Sequence, residues 1–184
     1  MKLALDAMGG DYAPQEIVLG GLDALNQHDF LEKIYLVGKR DAIEAVLKEA
    51  EKDKKVDYSK LEIVEASEVI EMAEPPVMAI RKKKDSSIVK ALHLVKDGTC
   101  DAFVSAGSSG AVLVGGQLIV GRIKGVERPP LAPLIPTEKG ASLLIDCGAN
   151  VDARPSHLLQ FAKMGSLYME HIMGIENPRV AIVN

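Results

Sequence analysis

Three short stretches carry residues suited to chemistry: Asp6-Ala7-Met8-Gly9-Gly10-Asp11, Ser105-Ala106-Gly107-Ser108-Ser109-Gly110-Ala111 and Asp146-Cys147-Gly148-Ala149-Asn150-Val151-Asp152. Each follows a short apolar run and sets glycine beside hydroxyl, amide or carboxylate groups. Glycine lets a backbone approach a ligand closely and take positive φ. Where a helix starts after such a loop, its first N–H groups and its dipole favour an anion. Ser108 and Ser109 stand where they could cap that helix or donate to a phosphate oxygen. The stretch is neither a P-loop nor a GxGxxG. The nearest Walker-like string, Gly116 to Arg122, has Arg in place of Lys and falls inside a predicted helix, so it is rejected.

A fourth candidate is the cationic run Arg81-Lys82-Lys83-Lys84, just before Asp85-Ser86-Ser87. Asp85 or Ser86 reads as a helix N-cap, so the run sits beside another helix start. Two readings stand: a solvated face, or an anion site in which Arg81 leads because its guanidinium fork is preorganised. Arg128, before Pro129-Pro130, is a site residue or a loop anchor. Asp6, Asp11, Asp146 and Asp152 are acid/base groups or metal ligands on one reading, and loop or cap acceptors on the other. Asn150 could act likewise or donate to an oxyanion. His28, His93, His157 and His171 show no metal-ligand spacing, and His157, near a helix start, reads as structural. Cys147 has no neighbouring His to activate it as a nucleophile. No metal or cofactor is expected.

The elements that must hold these loops alternate. Strands are predicted at Lys2 to Asp6, Ile34 to Val37, Leu61 to Val64, Ala102 to Ser105, Leu143 to Asp146 and Arg179 to Val183. Helices are predicted from Pro14, over Asp41 to Lys52, Ser86 to Lys96, Gly110 to Val120 and Pro155 to Met173. Met164, Tyr168 and Ile172 form a stripe suited to a core or a subunit interface. Alternation of this kind predicts a three-layer, doubly wound, mostly parallel α/β sheet, with ligands taken outside the carboxyl ends of the strands. All three glycine loops are expected on that one edge.

The chain has 184 residues, 47% of them apolar, and no Trp. That length suits one α/β domain over residues 1–184. A net charge of −4 gives no sign of nucleic-acid binding, which favours a strongly basic domain. Two scattered cysteines without CxxC predict reduced thiols and a cytoplasmic protein. No run approaches the roughly 20 apolar residues of a membrane span, so a soluble protein is expected. The last predicted strand ends at the chain terminus, which suggests a chain cut short.

Taken together, Leu5-Asp6-Ala7-Met8-Gly9-Gly10-Asp11-Tyr12-Ala13-Pro14, the run from Ile80 to Ile88, Asp101 to Ala111, Leu143 to Tyr168 and Asn177 to Asn184 resemble the acyl-carrier-protein:phosphate acyltransferase family of bacterial phospholipid synthesis. The resemblance runs from residue 3 to 184 and covers the amino-terminal part of the family chain. In the family, the loop at residues 105–111 reads Ser-Ala-Gly-Asn-Thr-Gly-Ala. Here Ser108 and Ser109 replace its Asn and Thr. The resemblance implies an isocitrate dehydrogenase and phosphate acetyltransferase-like fold without nicotinamide. The implied reaction takes acyl carrier protein thioester and inorganic phosphate to acyl phosphate and free carrier. It also implies a homodimer that is peripherally associated with the cytoplasmic face of a membrane.

On that basis Ser105, Gly107, Ser108, Ser109, Gly110 and Arg81 are expected to bind phosphate. Asn150 is expected to donate to the oxyanion, and Asp6 and Asp11 to order the glycine loop between them. Gly9, Gly10, Asp146, Gly148 and Asp152 would position loops, and Lys82, Lys83 and Lys84 would dock the acidic carrier protein. The alternatives are a coenzyme-A-dependent phosphate acyltransferase and a non-catalytic phosphate- or nucleotide-binding module.

Overall fold

A computed structural model describes residues 1–150 and 152–183. The chain divides into two compact units, Met1–Gly121 and Arg122–Asn184.

The first unit is built on four strands: β1 (Lys2–Asp6), β2 (Lys33–Gly38), β3 (Leu61–Glu65) and β4 (Ala102–Val104). All pair in parallel, in the order β3-β2-β1-β4. Register places Ala4 beside Tyr35 and Leu5 beside Leu36. Alternation along each strand then sends Leu5, Ile34 and Leu36 to one face, and Ala4, Tyr35 and Val37 to the other. The first face is covered by α1 (Gln15–Gln27) and α2 (Arg40–Ala50), through Val18, Leu22, Ile43 and Leu47. The second is covered by α4 (Ser87–Lys96), through Ala91 and Leu94. Ile34 and Leu36 are fully buried, and each such side chain stabilises the fold by roughly 2–3 kcal/mol.

Helices lie on both faces because crossovers between parallel strands are right-handed. The chain moves outward from β1 to β2 to β3 with its helices on one face. It then returns past β1 to β4, which puts the next helix on the opposite face. The direction reverses between β1 and β4, and that is where an open sheet leaves a crevice at its carboxyl edge.

Between β3 and β4 the chain forms α3 (Pro76–Lys82) before α4. Pro75-Pro76 reads as a break in the sequence, yet Pro76 occupies the first turn of α3, where a missing N–H is tolerated. After β4 come α5 (Ser109–Gly115) and a π-helical continuation, Gly116–Val120.

The second unit holds β5 (Leu134–Thr137) and β6 (Gly140–Leu143), paired antiparallel, followed by α6 (Pro155–His171). Two sequence expectations change here. The strand expected at Leu143 to Asp146 lies earlier, at Gly140–Leu143, in a separate two-stranded sheet. The strand expected at Arg179 to Val183 does not form among the described residues, and Ile182 and Val183 are 78% and 87% exposed. A strand needs an edge to pair with, and an apolar run by itself does not supply one. His157 is buried and structural, as expected: its Nδ1 accepts from Arg154 N at 3.2 Å and its Nε2 lies 3.0 Å from Glu127.

Candidate functional site

The loops after β1 and β4 meet at the reversal point. Asp6 ends β1 with its side chain 1% exposed. One carboxyl oxygen accepts from Met8 N at 3.2 Å and the other from Ser105 Oγ at 2.7 Å, joining loops 99 residues apart in sequence. Ser105 Oγ in turn accepts from Gly107 N at 3.0 Å. The chain Gly107 N–H, Ser105 O–H, Asp6 carboxylate therefore locks the β4 loop to the β1 loop.

Gly9 is pressed into this lock. A Cβ there would lie 2.5 Å from Asp6 Oδ2 and 2.7 Å from Gly107 N, contacts that only hydrogen at Cα permits. Gly10 beside it has φ +108°, a conformation that favours glycine. Asp11 is exposed at the end of the loop.

Past the lock, Ser108 caps α5. Its hydroxyl accepts from Ala111 N at 3.3 Å, and its side chain is 4% exposed. Ser109 is exposed. The N–H groups of Ser109 and Gly110, at the start of the helical run 109–120, have no acceptor among the described residues. Gly110 rests on Pro76, whose Cγ lies 2.7 Å from where a Cβ on Gly110 would sit. Nothing in the sequence signalled this seat beyond a proline able to open a helix.

Six of the expected residues thus gather around the crevice. Asp6, Gly9, Ser105 and Gly107 form the lock, and Ser109 and Gly110 carry free donors. Ser105 and the Gly107 N–H spend their hydrogen bonds within the lock, so they position the loops. Ser108 Oγ accepts the cap bond from Ala111 N, which leaves its hydroxyl proton without an acceptor among the described residues.

Arg81 and Lys82 lie exposed in the last turn of α3. Arg81 is about 7.5 Å of helix beyond Pro76, at about 1.5 Å per residue. Lys84 is exposed as well. Lys83 differs: its ammonium donates to Val69 O and to Glu74, which in turn accepts from Glu71 N. The hydrogen bond from Lys83 holds the Glu74 carboxyl below its usual range. Lys83 therefore straps the 69–74 segment to the end of α3.

Ser86 caps α4, accepting from Val89 N. Asp85 beside it is held well below the usual carboxylate range, first by Lys90 and then by the Ser67 hydroxyl and N–H. A depressed native pKa gives stability that is present above the unfolded value of 3.8 and lost as pH falls through the native one. As pH falls below that unfolded value, the Ser67–Asp85 junction should therefore open more often, read as faster amide exchange at Ser67 relative to its intrinsic rate at each pH. Asp85→Asn should show that faster exchange already at pH 5; if the variant matches wild type there, the junction does not depend on this carboxylate.

The third glycine loop belongs to the second unit. It follows β6, a strand of the two-stranded sheet and not of the parallel one. Asp146 accepts from Leu131 N on one oxygen and from Asn150 N on the other, both at 2.6 Å. The Asn150 side-chain amide donates to Pro129 O at 3.2 Å and to Asp146 at 3.3 Å. Asp146 and Asn150 tie the 129–131 segment to this loop, and Asn150 could serve an oxyanion only if those bonds opened. Gly148 and Asp152 are exposed loop residues, as is Arg128.

Fold and loops together define a doubly wound α/β protein whose reversal-point loops are locked to each other through Asp6, Gly9, Ser105 and Gly107. The chain belongs to the fatty acid synthesis protein family, which matches it over residues 1–184. It is 54% identical over 184 residues to the phosphate acyltransferase of Heliobacterium modesticaldum, covering 100% of this chain and 53% of that protein. It is 52% identical to the phosphate acyltransferase of Clostridium perfringens and 50% identical to that of Desulfitobacterium hafniense, with the same coverage. The chain spans about half the length of the curated relatives it matches. The family resembled by the sequence motifs is the one these comparisons give.

Proposed function

We propose that this chain forms part of an enzyme that converts an acyl-carrier-protein thioester and inorganic phosphate into an acyl phosphate and free carrier, for phospholipid synthesis. The observation that carries the proposal is the β1–β4 crevice. Two N–H donors without an acceptor among the described residues, from Ser109 and Gly110, stand at a helix start beside a lock that only glycine at position 9 allows. Relatives at about half identity are named phosphate acyltransferase, which supports acyl transfer to phosphate.

The chemistry asks little of the protein beyond placement. Hydrogen phosphate is already an anionic nucleophile near neutral pH. One of its oxygens attacks the thioester carbonyl carbon, a C–O bond forms, and the carbonyl oxygen takes the negative charge. Collapse of that intermediate breaks the C–S bond. The phosphate's remaining proton passes to the departing sulfur, leaving acyl phosphate and a free thiol. No covalent enzyme intermediate is needed. Holding phosphate against the carbonyl removes much of the entropic barrier, and fixed donors aimed at the oxyanion remove more. Ser109 and Gly110 bind phosphate, while Asp6, Ser105 and Gly107 position the loop that presents it. The same proposal includes a homodimer working at the cytoplasmic face of a membrane. Among the described residues, no helix is long and apolar enough to cross one.

Thiol release from a long-chain acyl carrier protein, with and without phosphate and with hydroxylamine as trap, tests the reaction. Phosphate-dependent release with a trappable acyl phosphate is expected, and faster turnover of acyl-coenzyme A than of the carrier thioester would reassign the donor. Phosphate binding without turnover in the full-length protein would favour a binding module. Ser109→Ala with Gly110→Val should raise the KM for phosphate by at least about tenfold, or roughly 1.4 kcal/mol. An unchanged phosphate saturation curve would remove the assignment of these residues.

A further inference from the structure

The two faces of α3 (Pro76–Lys82) differ in character. Ala79 and Ile80 are buried, at 3% and 2% exposure, and pin the helix against the core. The opposite face shows Val77 and Met78, at 45% and 47% exposure, followed by exposed Arg81 and Lys82. Spacing of four residues stacks Val77 with Arg81 and Met78 with Lys82 along the helix. Met72, 64% exposed, lies on the segment just before. That segment is fixed by the Lys83–Glu74 pair and by the bond from Glu71 N to Glu74 at 2.7 Å.

The surface therefore has an order. It starts at the donor loop, where Pro76 seats against Gly110. It continues through Val77 and Met78, with exposed Met72 on the segment leading into the helix. It ends in cations at Arg81 and Lys82, with Lys84 just beyond. Exposed apolar side chains grouped beside the proposed phosphate site suit a partner's apolar surface, and cations without an ion pair among the described residues suit an acidic one.

We infer that this face of α3 docks the thioester donor: its apolar end takes the arm and acyl chain nearest the thioester, and its cationic end takes an acidic carrier protein. The inference rests on the proposed reaction and adds what recognises the donor. It moves Arg81 from phosphate to the carrier and leaves Lys83 as an internal strap. An acyl thioester presented by an acidic protein has the same order of chemistry as the surface, with the reacting carbon first, then apolar chain, then negative charge.

Two variants of the full-length protein test it, both at exposed positions. Val77→Ser with Met78→Ser should raise the KM for a long-chain acyl carrier thioester about tenfold, and raise that for a carrier-free acyl-pantetheine similarly. The KM for phosphate should not change. Arg81→Glu with Lys82→Glu should raise the KM for the carrier thioester at least tenfold and flatten its salt dependence, without affecting acyl-pantetheine. Unchanged donor KM values in both variants, with phosphate-dependent turnover intact, would overturn the inference and leave the reaction standing. A loss of dimer or a lowered melting temperature in place of a KM change would mean that the protein itself covers this face, which also overturns it. If wild type made no acyl phosphate from any thioester, the reaction would fail and the inference with it.

Discussion

Gly9→Ala is expected to lower kcat/KM for phosphate by about 100-fold or more in the full-length protein. The added methyl would sit 2.5 Å from Asp6 Oδ2, 2.7 Å from Gly107 N and 3.0 Å from Ser105 Oγ. Gly107 N is backbone and cannot rotate away. The Asp6 carboxyl is buried, and Ser105 is bonded to it. Relief therefore requires the β1 and β4 loops to part. Overpacking of this kind costs about 1–3 kcal/mol in stability. The larger effect is on function, because a shift of about 1 Å in a reacting group can cost about 100-fold in rate. Phosphate saturation kinetics alongside a thermal melt would separate the two effects. Near-wild-type kcat/KM would show that the spacing of the loops does not set the site.

Asp6→Ala should be the most destabilising single change in the crevice, and Asp6→Asn should fall between it and wild type. The alanine leaves Ser105 Oγ and Met8 N without their acceptor in a partly buried setting. Each unsatisfied buried group costs about 1–3 kcal/mol, so a loss of about 2–4 kcal/mol is expected. At about 2–4 °C per kcal/mol for a chain of this size, the melting temperature should fall on the order of 10 °C. The asparagine keeps one acceptor for Met8 but presents N–H hydrogens to Ser105, whose own proton then loses its place. Because Asp6 and Ser105 act through one chain of bonds, Asp6→Ala with Ser105→Ala should cost clearly less than the sum of the single changes. Additive losses would mean that the two residues act independently.

The parallel sheet was legible in the sequence because its strands hold short apolar runs, buried on both faces in the central strand β2, as Ile34 to Val37 illustrates. Cap residues were legible too: Ser86 and Ser108 stand where hydroxyls satisfy the first N–H groups of helices. The lock was legible only as an inventory. The sequence shows an aspartate, a serine and two glycines, but not that Ser105 faces a carboxylate 99 positions away. Its donor proton was therefore expected on phosphate and is found on Asp6.

The β5–β6 hairpin escaped notice because Pro136 interrupts its first strand and its residues are largely exposed, which blurs any period of two. The strand before the third glycine loop was misassigned for the same reason: it was taken as a member of the parallel sheet and lies in the two-stranded one. The basic run was legible as charge, but only the structure separates Lys83, bound to Glu74 and Val69, from its exposed neighbours.

Titration of inorganic phosphate into the 15N-labelled full-length protein, followed through its backbone amides, tests most directly whether the β1–β4 crevice is the phosphate site. Saturable shifts centred on Ser109 and Gly110, weakened in Gly9→Ala, are expected. Saturable shifts elsewhere, with these two amides silent, would contradict the assignment.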